Sequence, residues 1–260
     1  MDAEVTPPIL EARSLTRRFG GIAAVRDMSL SIAPGEILGL IGPNGAGKTT
    51  MFDLLSGSVR PSAGTIRLKG RDVTREAAHH RLAQGLGRTF QIPRPFPDLT
   101  CTENLLIARQ NQTGERLFAN FLASRRIAAE ERAAREKAHE ILDLMLLTRL
   151  ADEPARFLSG GQRKLLELAR VMMADPALIL LDEPAAGVNP SLLEVLIDRI
   201  QAINARGVTF LLIEHNIDMV TRLCSRLIVM ANGSLLCEGA PDDVARDPRV
   251  IEAYLGGAAA

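Results

Sequence analysis

The chain has 260 residues, 47% of them hydrophobic and 24% charged, and its 31 basic and 31 acidic residues leave a formal net charge of zero. That length can bury a sizeable core as one large domain or one with a satellite, and the neutral balance excludes a nucleic-acid binder driven by bulk electrostatics. No apolar run reaches bilayer-spanning length and the N-terminus MDAEVTPPIL has no signal-peptide pattern, so work at a membrane has to go through a partner.

The first part of the chain reads as strands. Met28, Leu30 and Ile32 alternate with Ser29 and Ser31, and Ile66 and Leu68 alternate with Arg67 and Lys69. A period of two predicts a half-buried antiparallel sheet. Between these runs the short apolar strand EILGLIG feeds the glycine loop GPNGAGKTT, and a helix from about Lys48 to Ser56 should follow. From about Pro93 to Leu150 no strong strand pattern appears. Instead ASRRIAAEERAAREKAHEILDLMLL predicts a long helix, with Glu131 and Arg135 paired at i,i+4.

Two helix-then-strand units come next. Leu165, Leu168, Ala169 and Met172 share one face of a helix ended by Asp175-Pro176, ahead of the apolar run ALILLDEP. Leu193, Leu196, Ile197 and Ile200 share a face ahead of VTFLLIEH. Alternating helices and apolar runs predict a parallel sheet buried on both faces. Asn232-Gly233, between RLIVMA and SLLCEG, signals a type I′ hairpin, and a terminal helix should run from around Pro241 to Leu255. Cys101, Cys224 and Cys237 fit neither a zinc site nor a disulfide framework and read as reduced thiols.

Gly42 to Thr49 fits the phosphate-loop pattern G-x-x-x-x-G-K-[ST], after a strand and opening a helix. Its glycines let the amides of Asn44, Gly45, Ala46, Gly47, Lys48, Thr49 and Thr50 wrap phosphates where a Cβ would clash. Lys48 places a point charge on the β- and γ-phosphates, the Thr49 hydroxyl suits Mg²⁺, and the helix N-terminus adds partial positive charge. A glycine-rich turn with a chance lysine is the weaker reading in this context. Asp182, ending LILLD, can hold Mg²⁺ directly or through water, and the adjacent Glu183 can polarise an attacking water as general base. At this point a kinase, a GTPase, a helicase and a transport ATPase all remain open, because they share the fold.

FLSGGQRKLLELAR, from Phe157 to Arg170, narrows the choice. Ser159 and Gln162 satisfy a capping box. A cap does not need the adjacent Gly160 and Gly161, which weaken a helix but expose its N-terminal amides as an anion site. LSGGQ, 20 residues before Asp182, together with GPNGAGKTT, resembles the nucleotide-binding subunit of an ABC transporter over nearly the whole chain.

The resemblance implies an α/β P-loop NTPase (RecA-like) core with a parallel sheet, an N-terminal antiparallel β subdomain and an inserted α-helical subdomain. The expected division is about 8–90 and 166–240 for core and β subdomain, about 92–165 for the helical subdomain, and 241–260 for the C-terminal helix. It implies that Gln91, in RTFQ, reaches Mg²⁺ and the attacking water, and that His215 contacts the γ-phosphate. Phe19 should stack on adenine with Val25 packed nearby. Two ATPase subunits, as homo- or heterodimer, should sandwich ATP head to tail, with Ser159, Gly160, Gly161 and Gln162 of one facing the nucleotide of the other. One departure is Asn189, where many relatives carry Asp.

RTFQIPRPFPDLTCTENLLIARQ, LDEPAAGVNP, LLIEHNIDMV and DPRVIEAYLGG resemble the larger ATPase of branched-chain amino acid importers. That implies transmembrane permease subunits faced by Ile92 to Leu106, a periplasmic solute-binding protein acting indirectly, a peripheral location on the cytoplasmic side of the inner membrane, and no nucleic acid. Urea and short-chain amide importers and lipopolysaccharide-export ATPases share similar motifs. A soluble, non-transport ABC ATPase fits less well, since the chain has one cassette and no heptad run. A non-hydrolysing regulator fits poorly with Glu183 and His215 both in place.

Overall fold

Residues 7–89, 94–110 and 124–256 are described by the computed structural model. The period-two runs build an antiparallel sheet of β1 (Leu10–Phe19), β2 (Ile22–Ile32), β4 (Ala63–Leu68) and β5 (Arg71–Asp72), in the order β2-β1-β4-β5. Met28, Leu30, Ile32, Ile66 and Leu68 are buried as their alternation requires.

The apolar runs build the second sheet. It contains β3 (Ile37–Ile41), β6 (Leu86–Arg88), β7 (Leu178–Asp182), β8 (Thr209–Ile213), β9 (Arg226–Ala231) and β10 (Ser234–Gly239), in the order β10-β9-β3-β8-β7-β6. All its pairings are parallel except β9–β10. Successive residues alternate between two cores. Leu38, Leu180, Leu211 and Ile228 face the antiparallel sheet and helix α1 (Lys48–Ser56), while Ile37, Ile179, Phe210 and Leu227 face the other helices. A strand buried on both faces needs no polar alternation, which is why its sequence has none.

The remaining helices are α2 (Ala78–Ala83), α3 (Cys101–Ile107), α4 (Ser124–Leu144), α5 (Gly160–Met172), α6 (Pro190–Asn204), α7 (Ile217–Leu223), α8 (Pro241–Arg246) and α9 (Pro248–Gly256). The expected long helix is α4. Its Ala138, Ile141 and Leu142 join Leu105 of α3 and Leu166 of α5 in the core that runs under β7, so the helical region shares its core with the sheet. The expected C-terminal helix is interrupted. Asp247 is extended (φ −70°, ψ 119°) because the residue before a proline, here Pro248, is pushed out of helical geometry. Asn232 and Gly233 both take positive φ (50° and 82°), as a type I′ turn demands.

Candidate active site

Parallel strands all end at one edge, and loops leaving that edge form the crevice where α/β folds place ligands. Here β3, β8 and β7 lie side by side, with Leu40 opposite Ile213 and Ile213 opposite Asp182. The three sequence motifs that follow those strands therefore emerge at one level: the glycine loop, the Asp182-Glu183 pair and His215.

The loop is held from beneath. A Cβ on Gly42 (φ 148°) would lie 2.1 Å from the Met230 carbonyl oxygen, and one on Gly47 (φ 96°) 2.3 Å from that of Ala24. Glycine is required at both by conformation and by space. The hairpin tip supports the same loop, since the Gly233 amide donates to the Ala46 carbonyl (3.1 Å). Asn44 and Gly45 are exposed, Ala46 is buried, and α1 starts at Lys48 with Thr49 exposed and Thr50 half-buried. The Lys48 ammonium is buried and donates to the carbonyls of Gly42 (2.8 Å) and Pro43 (3.0 Å). Its pKa is lowered by desolvation, against the opposing pull of the Glu183 and Asp182 carboxylates.

Asp182 is buried at the end of β7, and burial raises its pKa. Arg88, on β6, opposes that shift. Its guanidinium donates to Asp182 (3.3 Å), to Asp53 of α1 (2.6 Å) and to Ser56 (3.0 Å). A buried carboxylate and an exposed hydroxyl at the head of α1 are hard oxygen donors, the set that suits Mg²⁺. Glu183 has a left-handed backbone (φ 48°), and its Oε1 lies 3.2 Å from His215 Nε2. The structure thus brings Glu183 and His215 together. Gln91 lies outside the described residues.

Ser159 caps α5 as expected. Its amide donates to Gln162 Oε1 (2.8 Å) and its hydroxyl accepts from the Gln162 amide (3.3 Å). Ser159 and Gly160 are exposed, and a Cβ on Gly160 would meet nothing. Gly161 has a second reason to be glycine: its Cβ would fall 1.5 Å from Leu192 Cδ2, at the start of α6. Asn189 caps α6 by accepting from the Leu192 amide (2.9 Å), a task Asp would perform equally.

Phe19, at the β1–β2 tip, is 49% exposed, and the Arg17 guanidinium sits 4.5 Å over its ring. Val25 is fully buried in the core beneath the hairpin, because β2 turns that residue inward with Met28. The sequence reading missed Arg88, Lys164 and Glu214. Glu214 had a signal, a charged residue directly after the apolar run FLLI. Lys164 was masked by the charge run RK.

Residues 25–186 match the ABC transporter family, and residues 234–260 match the Branched-chain amino acid ATP-binding cassette transporter family. The chain is 42% identical over 248 residues to a probable branched-chain amino acid transport ATP-binding protein, LivG, of Archaeoglobus fulgidus, covering 95% of each. It is 39% identical to the high-affinity branched-chain amino acid transport ATP-binding protein BraF of Pseudomonas aeruginosa, covering 96% of this chain and 98% of that one. Among solved structures, it resembles the ADP conformation of an ATP-binding cassette of an ABC transporter (TM-score 0.83, 35% identity, 96% of this chain and 100% of that one). It also resembles a dimeric post-hydrolysis cassette bound to ADP and Pi (TM-score 0.71, 25% identity, 89% of this chain and 98% of that one).

Proposed function

The chain belongs to the ABC transporter family of ATP-binding proteins, and from that premise we propose that it is the ATP-hydrolysing motor of an importer for branched-chain amino acids. The observation that carries the hydrolytic reading is the 3.2 Å contact between Glu183 and His215 at the strand edge that also holds Lys48 and Asp182.

Each residue then has a task. The amides of Asn44 through Thr50 and the Lys48 ammonium bind the phosphates, and Phe19 stacks on adenine. Thr49 and Asp182 would hold Mg²⁺, with Gln91 as a further contact. When bound, Mg²⁺ supplies charge that neutralises the β- and γ-phosphate oxygens. Glu183 accepts a proton from the attacking water. His215 orients the Glu183 carboxylate and contacts the γ-phosphate.

Ser159, Gly160, Gly161 and Gln162 serve the nucleotide of a second ATPase subunit. The exposure of Ser159 and Gly160 at the head of α5 supports that reading, as does the dimeric relative. ATP then closes the pair and hydrolysis opens it. No helix among the described residues is long and apolar enough to cross a membrane. We assign the path for solute to separate permease subunits, which the transport role of the named relatives supports. The chain would sit as a peripheral subunit on the cytoplasmic face. A cleft of about 410 Å³ beside the end of α3, lined by Ser56, His79, Leu82, Arg170, Val171 and Ala174, is a suitable seat for a permease segment.

Two experiments test this reading. Glu183→Gln should bind and retain ATP and form a closed dimer on a sizing column, without turnover. A strain lacking the protein should lose uptake of labelled leucine while keeping uptake of urea and short-chain amides. Normal leucine uptake would refute the solute and leave the ATPase standing.

A further inference from the structure

Glu214 directly follows β8 and is buried, 3% exposed. Its two oxygens accept three backbone hydrogen bonds. Oε1 takes the amide of Ala185 (2.6 Å), and Oε2 takes those of His215 (2.8 Å) and Asn216 (3.0 Å). The first amide belongs to the turn that carries Glu183. The other two belong to the loop that carries His215. A single carboxylate therefore fastens the two loops to one another.

The Glu183 turn has a second hold. Lys164 Nζ, on α5, donates to the carbonyls of Glu183 (3.2 Å) and Pro184 (2.7 Å). Carbonyls 183 and 184 are held by an ammonium, and amide 185 by a carboxylate. A buried charge is costly, and joining two loops does not by itself require one. What a carboxylate offers is two acceptor oxygens fixed in one plane, each able to take more than one N–H. That geometry sets a distance between two chain segments.

We propose that Glu214 is the positioning residue of the hydrolytic site, setting the reach between Glu183 and His215, with Lys164 as the second anchor of the Glu183 turn. The inference rests on the reading of Glu183 and His215 as the hydrolytic pair. Because α5 begins at the Ser159–Gln162 cap, Lys164 also gives that helix a direct hold on the backbone of the catalytic glutamate. A shift of α5 on engaging a second subunit is thereby felt at Glu183.

The test uses the full chain with ATP and Mg²⁺. Glu214→Gln keeps the size and one acceptor oxygen but turns the other into an NH₂ that faces an N–H. We expect kcat to fall on the order of ten- to a hundredfold, the effect of a small misplacement of reacting groups. KM for ATP should stay near wild type, while the amide left without an acceptor should lower the thermal midpoint by about 2–10 °C. Lys164→Gln should give the same split.

A wild-type kcat in both variants, while Glu183→Gln is inactive, overturns the positioning role alone. A rise in KM that accounts for the lost activity also overturns it. If Glu214→Gln does not fold, the same split in Lys164→Gln decides. Wild-type turnover by Glu183→Gln would instead overturn the underlying assignment of the hydrolytic pair.

Discussion

Replacing Arg81 with Met would remove the C-terminal anchor of α1, the helix that carries the phosphate loop. Arg81 has no exposed surface. Its guanidinium donates to the carbonyls of Leu54 (2.8 Å), Leu55 (2.7 Å), Glu76 (3.2 Å) and Thr74 (3.3 Å). Leu54 and Leu55 lie in the last turn of α1, whose carbonyls have no partner within the helix. Burial lowers the Arg81 pKa to about 10, so the charge is kept there at a cost that the four bonds offset. In the Met variant Leu54 still accepts from the Gly57 amide (3.2 Å), while Leu55, Thr74 and Glu76 lose the donor described here. A buried carbonyl left without a donor costs about 1–3 kcal/mol. Counting Leu55 in full and the two longer bonds in part gives ~3–5 kcal/mol, and release from burying a charge returns about 1 kcal/mol. The net loss is ~2–4 kcal/mol, or roughly 5–15 °C in Tm for a chain of this size. Urea unfolding and calorimetry of Arg81→Met against wild type would measure it. A loss below about 1 kcal/mol would refute the argument that these carbonyls depend on Arg81.

Three further outcomes follow from other contacts. Gly161→Ala should destabilise the fold through its clash with Leu192, and adding Leu192→Ala should recover part of the loss, a coupling on the order of 1 kcal/mol in Tm-derived cycles. Ser159→Arg should abolish hydrolysis and leave nucleotide affinity of the isolated subunit near wild type by fluorescence titration. If hydrolysis survives, the cross-subunit role is wrong. Burial pushes the thiols of Cys101 and Cys224 up to about 11 and about 12, so an aromatic disulfide reagent at pH 8 should label the half-buried Cys237 first and the other two only on unfolding. Because those two pKa values are raised on folding, the stability they contribute is complete below the ordinary value of 9.0 and is lost as pH climbs through about 11 to 12.

Much of this molecule could be read in the sequence because its signals are local. The alternation at Met28–Ile32, the apolar runs of β7 and β8, and the Asn232-Gly233 turn each fix backbone geometry through a few neighbouring residues. The glycine loop was legible because phosphate chemistry limits which residue types fit. What escaped is long-range. β6 is three residues, LGR, too short for a period, and exists because Gly87 pairs with Ile179 across the sheet. Arg81 and Arg88 carry no local signal, because the carbonyls and carboxylates that surround them come from distant segments. Gly161 was explained by anions alone, although its packing partner Leu192 lies on another helix.

The backbone of Glu183 bears on any attempt to improve this protein. A non-glycine residue in the left-handed region gives up about 1–2 kcal/mol that glycine would keep. A library selected only for thermal survival should therefore drift toward glycine at this position, and each gain there would deliver a hardier protein that no longer turns over ATP. Robustness and work pull in opposite directions at one residue, so any stabilised version has to be screened for turnover at every round.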